Sequence, residues 1–435
     1  MSLNKKILRL AVPSVVSNLT VPLLGLIDVG IVGHLGSASY IGALAVGGML
    51  FNLIYWGFGF LRMGTGGMTA QAYGKQDTAE ISAILARAVF TGFGIAALLL
   101  LLQYPVSRAA FYFLRPSEEV EASASLYFHI CIWGAPAVLG LYGFTGWFVG
   151  LQNTRFPMYI AFVQYALNIV FSLAFVFLLD MKVAGVAAGT LVAQWSGFAM
   201  AVYLASRRYK QFKAAVGLKE LFRRHAMRRF FSVNSDIFLR TVCLISVTTF
   251  FTGAGARQGD TILAVNTLLM QLFTLFSYFM DSFAYAGEAL TGRYIGERNL
   301  PLLKQTVKHL FYWGSGVAVL FTLLYGLGGE SFLRLLTDNT AVTAAASRYF
   351  YWALAIPLAG FAAFLWDGIF IGATTTRLML YIMLVASATF FAVYYWLNGT
   401  LGNDALWLAF LTYLALRGIV SQLAGSAVYR TITSR

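Results

Sequence analysis

One carboxylate inside an apolar stretch is the residue best placed to do chemistry. Asp28 lies in the segment PLLGLIDVGIVG, with no Lys or Arg within one helical turn. Placing a charged side chain in a membrane costs about 2.5–3.5 kcal/mol on insertion scales. An unpaired acid in such surroundings can take up and release a proton near neutral pH. Asp28 is therefore predicted to be a proton-coupling residue; the alternative is an acid kept for packing.

Residues in other parts of the first half could assist this acid. Pro13 lies fifteen residues earlier, where it removes a helix hydrogen bond and makes a hinge feasible. Asn168 and Ser172 are four residues apart in LNIVFS and share one helix face. Thr190, in the next apolar run, could join them. With Asp28 they would form a polar pocket; ordinary interhelical hydrogen bonding is the alternative and is favoured for Thr190 taken alone.

The second half carries a different set of intramembrane charges. Asp236 and Arg240 are spaced i, i+4, so we expect them to pair with each other. Asp281 and Glu288 are seven residues apart and should face one way. Asp367 lies in the segment LWDGIFIG. Two further bases are expected to neutralise some of these acids or to reach the interface, Arg62 and Arg417.

The segments that must position these residues occur twice. A shift of 222 residues aligns five identical pairs: Gly74 with Gly296, Tyr127 with Tyr349, Gly150 with Gly372, Arg155 with Arg377, and Tyr159 with Tyr381. The acids do not repeat, because Asp28 aligns with Phe250 and Asp367 aligns with Thr145. Internal repeats in a membrane chain are typical of transporters. The two halves are therefore predicted to share an architecture and to differ in chemistry.

The composition places the repeats in a membrane. Hydrophobic residues make up 59% of the chain, charged residues 11%, and the mean hydropathy is +0.73. Apolar runs long enough to span a bilayer as helices fall near 8–33, 41–66, 84–106, 125–150, 156–180, 184–206, 230–255, 261–290, 306–328, 344–372, 378–399 and 405–428. We therefore predict an all-α membrane protein of about twelve transmembrane helices.

Six spans per half bring both halves into the membrane from the same side. The predicted lobes, 1–206 and 230–435, would then be parallel repeats related by a pseudo-two-fold axis along the membrane normal. The predicted linker, 207–229, holds nine Lys and Arg residues. The positive-inside rule assigns it and both termini to the cytoplasm of a multi-pass cell-membrane protein. The net charge of +14 is thus explained by topology, and no nucleic-acid partner is expected.

Other chemistries lack their signatures. The Gly-rich stretch GTGGMTAQAYG has no GK[ST] ending, and no Ser/His/Asp or metal-ligand constellation is recognisable. Cys131 and Cys243 are too few for a disulfide framework. We predict that the chain is not an enzyme and needs no cofactor or metal.

Several segments together resemble one transporter family. They are LAVPSVVSNLTVPLLGLIDVGIVGHLG, GMTAQAYGKQD, NSDIFLRT, DSFAYAGEALTGRYIGERN, WDGIFIGATTTR and LALRG, in this order over the whole chain. The chain is similar to the multidrug and toxic compound extrusion (MATE) transporters, in their DinF-like branch. The resemblance implies a two-lobed antiporter that exports cationic or amphipathic drugs against a proton or sodium gradient.

The resemblance also implies roles for single residues. Asp28 would be the coupling acid and Pro13 the proline at which the first helix bends on protonation. Members with a proposed sodium site carry a second acid where this chain has Ser172. Because hard cations prefer charged oxygen ligands, we expect proton coupling. The expected network and substrate residues of the first half are Asn18, Thr145, Asn168, Ser172 and Thr190.

Alternatives remain at this point. A sodium-coupled antiporter would differ only in the coupling ion. A flippase for a lipid-linked precursor would need a base-lined cavity for its anionic headgroup, and a channel would need pore-lining rings. The expected partners are drug-like organic compounds, protons or sodium, and the bilayer, for a chain acting as a monomer.

Overall fold

The computed structural model describes residues 2–33, 37–212, 222–336 and 340–433. Within these ranges the chain forms sixteen α-helices. Those of the first half are α1 (Leu3–Gly33), α2 (Ala38–Gly57), α3 (Phe60–Gly74), α4 (Thr78–Leu101), α5 (Gln103–Leu114), α6 (Glu118–Cys131), α7 (Ala135–Gly150), α8 (Arg155–Leu173) and α9 (Lys182–Arg208). Those of the second half are α10 (Arg224–Ala256), α11 (Asp260–Gly296), α12 (Leu300–Leu336), α13 (Thr340–Ala373), α14 (Thr376–Leu401), α15 (Asn403–Ala424) and α16 (Ser426–Thr433).

The predicted all-α membrane fold is confirmed. Eleven helical stretches in the described residues are long and apolar enough to cross a bilayer. Helix α1, which covers the first predicted run, is 31 residues long. Four of these stretches join neighbouring elements; Ser39–Gly74, for example, joins α2 with α3, and Glu118–Gly150 joins α6 with α7. Apolar composition and length thus account for the helix inventory.

The chain divides into two compact units. One comprises Val16–Phe231, and the other comprises Met1–Val15 together with Ser232–Arg435. The start of α1 is tied to the second unit, where Lys6 Nζ donates to the Tyr294 hydroxyl at 3.2 Å. This division differs from the predicted lobes 1–206 and 230–435, because the first fifteen residues pack with the second unit.

The described part of the predicted linker belongs to the first unit. Tyr209 packs edge-to-face on Trp147, with ring centroids 5.2 Å apart. Ser82 Oγ donates to the carbonyl oxygen of Phe212 at 2.5 Å. Residues 213–221, with Lys213 and Lys219, lie outside the described residues. The described ends of the linker are therefore fixed on the helices beside them.

A close glycine contact organises the first unit. A Cβ at Gly150 would lie 2.7 Å from the carbonyl oxygen of Gly66, and one at Gly146 would overlap the carbonyl oxygen of Arg62. Small residues four apart let two helix backbones approach in this way. Helices α3 and α7 therefore pack backbone to backbone.

The second unit repeats this contact at the 222-residue shift. A Cβ at Gly368 would overlap the carbonyl oxygen of Ala284, and one at Gly372 would overlap the carbonyl oxygen of Glu288. These positions correspond one by one to those of α3 and α7. The internal repeat seen in the sequence is thus a repeated helix–helix interface between α11 and α13.

The two copies differ in helix continuity. The first-unit spans are interrupted between α2 and α3, by the 3₁₀ turn Ile132–Gly134, and by the π-helical turn Ala174–Leu178. The second-unit counterparts α11 and α13 run unbroken for 37 and 34 residues. Irregular helical turns are frequent at functional sites, so the interruptions single out the first unit.

Candidate functional site

The predicted coupling acid lies half-buried on α1. Its Oδ1 atom is enclosed and has no hydrogen-bond partner in the described part of the chain. Asp28 is close enough to act electrostatically on Tyr127 and Cys131, one turn apart on α6. Buried polar atoms in proteins are normally hydrogen-bonded. An acid in this condition is a functional candidate.

Tyr127 links this acid to other polar groups. Its hydroxyl is close enough to the side chains of Cys131 and Thr190 to interact with both. The ring fits against α2 because Gly47 has no side chain; a Cβ there would overlap the ring. Phe51, one turn further along α2, packs edge-on with centroids 6.3 Å apart. Tyr127 is therefore locked in place and connects α1, α6 and α9.

Asn168 and Thr190 extend the network across α8 and α9. Asn168 Nδ2 donates to Thr190 Oγ1 at 2.9 Å. Gly189 brings the two helices together, since a Cβ there would lie 2.7 Å from the backbone nitrogen of Ser172. Asn168 Oδ1 and Ser172 Oγ are buried and lack a hydrogen-bond partner among the described residues. This unit thus holds a polar cluster with spare acceptor and donor capacity.

The structure brings some predicted residues together and leaves others apart. Within the described residues, no hydrogen bond joins Asp28 directly to Asn168 or Thr190; Tyr127 stands between them. Thr145 on α7 is half-buried, and so is Asn18, ten residues before Asp28 on α1. The described structure shows neither hydrogen-bonded to Asp28.

Tyr127 and Cys131 were missed as site residues. The repetition of Tyr127 as Tyr349 indicated only architecture, and Cys131 lies in an apolar run without a polar neighbour. The usable signal was their i, i+4 spacing, which places both on one face of α6.

Pro13 sits inside a helix that continues through it. It is buried, and Ser14 Oγ donates to the carbonyl oxygen of Leu10 at 3.0 Å. Proline has no N–H, so the backbone bond to the carbonyl of Arg9 cannot form. The boundary between the two compact units follows Val15. The turn of α1 that lacks this hydrogen bond is thus next to the point where the helix passes from one unit to the other.

The second unit contains a charge cluster with a different partner scheme from the predicted one. Asp367 on α13 forms salt bridges with Arg240 on α10 and with Arg417 on α15, the latter at 2.6 Å. The predicted pair of Asp236 and Arg240 is wrong, because Asp236 accepts a hydrogen bond from Thr376 Oγ1 at 2.9 Å. The prediction considered only residues spaced along one helix. The acid that pairs with Arg240 is Asp367, which lies on another helix and binds two guanidinium groups.

This cluster is built rigidly. Arg417 also lies over the ring of Tyr413, 5.1 Å from its centroid, and donates to the Tyr413 hydroxyl at 3.4 Å. Arg240 and Arg417 are almost fully buried. Buried ion pairs of this kind hold a geometry more than they add net stability. Asp367 is therefore neutralised by its two arginines, in contrast to Asp28.

The remaining predicted acids of the second unit lie on α11. Glu288 is fully buried, and its backbone carbonyl oxygen faces Gly372 in the contact with α13. Asp281, two turns earlier, is half-buried and acts electrostatically on Tyr278. The two acids are therefore in different surroundings despite their common helix face.

The chain is similar to known proteins over most of its length. The MatE family model matches residues 13–174 and 237–396. The DNA damage-inducible protein F of Escherichia coli strain K12 is 37% identical over 418 residues, 96% of this chain and 91% of that protein. A probable multidrug resistance protein NorM of Acinetobacter baylyi is 26% identical over 313 residues, 68% of this chain and 66% of that protein.

The fold has solved counterparts. The crystal structure of the Vibrio cholerae MATE transporter VcmN in the bent form superposes with a TM-score of 0.88. It covers 99% of this chain and 98% of that chain, at 18% identity. At this identity the likeness concerns the fold alone.

Proposed function

The chain belongs to the MatE family of multidrug and toxic compound efflux transporters, and from this premise we propose that it exports cationic or amphipathic organic compounds in exchange for protons by alternating access. The observation that carries the proposal is Asp28, an intramembrane acid whose enclosed oxygen has no partner in the described structure. Such an acid can alternate between a proton and a cationic substrate.

Proton binding to Asp28 affects the neighbouring polar residues Tyr127, Thr190 and Asn168. Ionised Asp28 acts on Tyr127 through its charge, and protonated Asp28 does not. The Tyr127 hydroxyl lies beside Thr190, which accepts a hydrogen bond from Asn168. Loss of the charge therefore changes the interactions of a hydroxyl that joins α6 to α9. Through this chain one proton alters the contacts between α1 and the rest of its unit.

The cycle then proceeds in two half-reactions. Facing outward, Asp28 takes a proton, α1 rearranges next to Pro13, and the substrate leaves. Facing inward, Asp28 loses its proton to the cytoplasm and the substrate rebinds. Competition of proton and substrate for one carboxylate couples the two fluxes. The position of Pro13, two residues before the boundary between the compact units, supports a hinge there.

Protons fit the cluster better than sodium. Apart from Asp28, its members Tyr127, Asn168, Ser172 and Thr190 are uncharged. Hard cations bind most tightly to several oxygen ligands that include more than one carboxylate. A single acid with neutral neighbours is sufficient for a proton. We further infer that both termini and the basic linker are cytoplasmic, as the positive-inside rule predicts.

Drug flux in proteoliposomes tests the proposal. A pH gradient and a sodium gradient are imposed separately on the wild type, on Asp28→Asn and on the control Asp260→Asn, which changes an exposed acid in the first turn of α11. We expect flux driven by pH alone, lost in Asp28→Asn and kept in the control. Flux driven by the sodium gradient would mean that sodium, and not the proton, is the coupling ion. If neither gradient drives drug flux, a lipid-linked precursor becomes the favoured substrate.

A further inference from the structure

A polar cavity whose lining does not include Asp28 lies in the first unit. It has a volume of about 400 Å³ and is formed by the end of α3, the start of α4 and the start of α10. Four basic side chains line it, Lys75, Arg87, Arg223 and Arg229, against two acidic ones, Asp77 and Glu80. We call it the basic pocket. Its excess of positive charge makes it suitable for an anion.

The pocket is held in shape by its own contacts. Arg87 is buried and pairs with Glu80 at 3.0 Å. Arg229 donates to Gln71 Oε1 at 2.9 Å. Asp77 accepts the backbone N–H of Glu80 at 3.0 Å and so caps α4. Both acids are thus engaged within the wall, and the guanidinium groups of Arg87 and Arg229 are held in place before any ligand arrives.

The pocket is not a general consequence of the repeated architecture. At the 222-residue shift, Gln71 corresponds to Arg293 and Lys75 to Glu297. Those two side chains pair with each other at 2.7 Å. Arg87 corresponds to His309. The second unit therefore neutralises the position at which the first unit concentrates positive charge.

Two exposed aromatic residues lie close in sequence to residues of the pocket wall. Phe222 directly precedes Arg223, and Phe90 follows Arg87 by three residues on α4. Their rings pack edge-to-face with centroids 5.3 Å apart, yet 57% of Phe90 and 46% of Phe222 remain exposed. A ligand with a negative head and an apolar body would cover both surfaces at once.

We propose that the basic pocket binds the phosphate headgroup of an anionic phospholipid, whose acyl chains lie against Phe90 and Phe222. Basic pockets at the membrane surface recognise such headgroups through charge-assisted hydrogen bonds. The lipid occupies the leaflet on the side of the central linker. The proposal is independent of the coupling ion and of the drug substrate.

Lipid retention by the full-length protein tests the proposal. Dioleoylphosphatidylglycerol or dioleoylphosphatidylcholine is titrated in detergent, and bound lipid is counted by native mass spectrometry. The pocket variant is Lys75→Gln, Arg223→Gln and Arg229→Gln together. The control variant is Arg208→Gln, Arg224→Gln and Arg228→Gln, which removes the same charge from exposed residues outside the pocket wall. We expect phosphatidylglycerol binding to weaken by about fivefold per pocket charge and to persist in the control.

Equal loss in both variants would mean non-specific attraction, and unchanged binding in the pocket variant would overturn the site. Soluble glycerophosphate distinguishes a lipid from a free anion: if it displaces the lipid as well as phosphatidylglycerol itself does, the ligand is a free anion and the proposal fails. Phe90→Ala with Phe222→Ala should weaken lipid binding and leave glycerophosphate binding unchanged. This aromatic variant also decides the matter if the charge variant does not purify as a monodisperse protein.

Discussion

The two units share one helix-packing device, but Asp28 of the first unit and Asp367 of the second are held in opposite ways. In both, glycines four residues apart press one helix onto the backbone of another. In the first unit Asp28 has an enclosed oxygen without a partner among the described residues. In the second unit Asp367 is held by two arginines. A duplicated scaffold has thus kept its frame, while Asp28 in one copy is available to bind a proton and Asp367 in the other is fixed by its two arginines.

The largest expected effect is on coupling in the first unit. Asp28→Asn removes the group that binds the proton, so pH-driven drug flux should fall to the level of protein-free liposomes. Because the lost carboxylate has no hydrogen bond in the described structure, the free energy of unfolding should change by less than about 1 kcal/mol. Flux assays together with thermal unfolding check both parts. Undiminished coupling in this variant would remove Asp28 from the mechanism.

Removing the paired acid of the second unit should instead lower the stability of the protein. Asp367→Asn leaves the buried guanidinium groups of Arg240 and Arg417 without their common acid. Breaking a buried ion pair in this way costs about 3–5 kcal/mol, so thermal stability should drop strongly.

A compensated variant separates charge from packing at this cluster. Asp367→Leu combined with Arg240→Met and Arg417→Met removes all three charges, and it should recover most of the lost stability, since apolar replacement of a buried ion triad is often neutral. Thermal unfolding of both variants in the same detergent makes the comparison. If Asp367→Asn is as stable as the wild type, the cluster is not the rigid element described above.

The glycine contacts should respond alike in both units. Gly146→Ala and Gly368→Ala each force a methyl group onto a backbone carbonyl, at a cost of about 1–3 kcal/mol. The chain offers matched controls at the same 222-residue shift, Gly94→Ala and Gly316→Ala, where a Cβ would meet nothing within 4 Å. These should be neutral or slightly stabilising. Thermal unfolding of the four variants decides whether the repeated interface is equally important in both units.

The positions of the helices could be predicted from the sequence better than the side-chain contacts between them. Apolar runs and the 222-residue shift were enough for the helices, because membrane insertion depends on composition and length. The spacing of Asn168 and Ser172 indicated a shared helix face, and both side chains are buried there. These predictions rest on periodicity within single helices.

Contacts between distant helices were out of reach. Arg240 has an acid one turn away, yet it pairs with Asp367, 127 positions along the chain. No rule of local spacing can choose between these two acids. The same limit concealed Tyr127, whose importance depends on Thr190 of α9 and Asp28 of α1 coming to one place. The passage of α1 from one unit to the other at Val15 likewise depends on tertiary packing.

The smallest expected effect concerns the link between acid and network, and it again uses the repeat. Tyr127→Phe removes the hydroxyl that joins Thr190 to the surroundings of Asp28 and keeps the ring beside Phe51. Loss of one polar side-chain contact costs about 1 kcal/mol, so pH-driven flux should fall by about fivefold. Tyr349→Phe makes the same change at the repeated position, where Phe250 stands in place of the acid, and should leave flux unaltered. Equal losses in the two variants would show that the hydroxyls serve the common frame, and the proposed path from Asp28 to Thr190 would then need another residue to carry it.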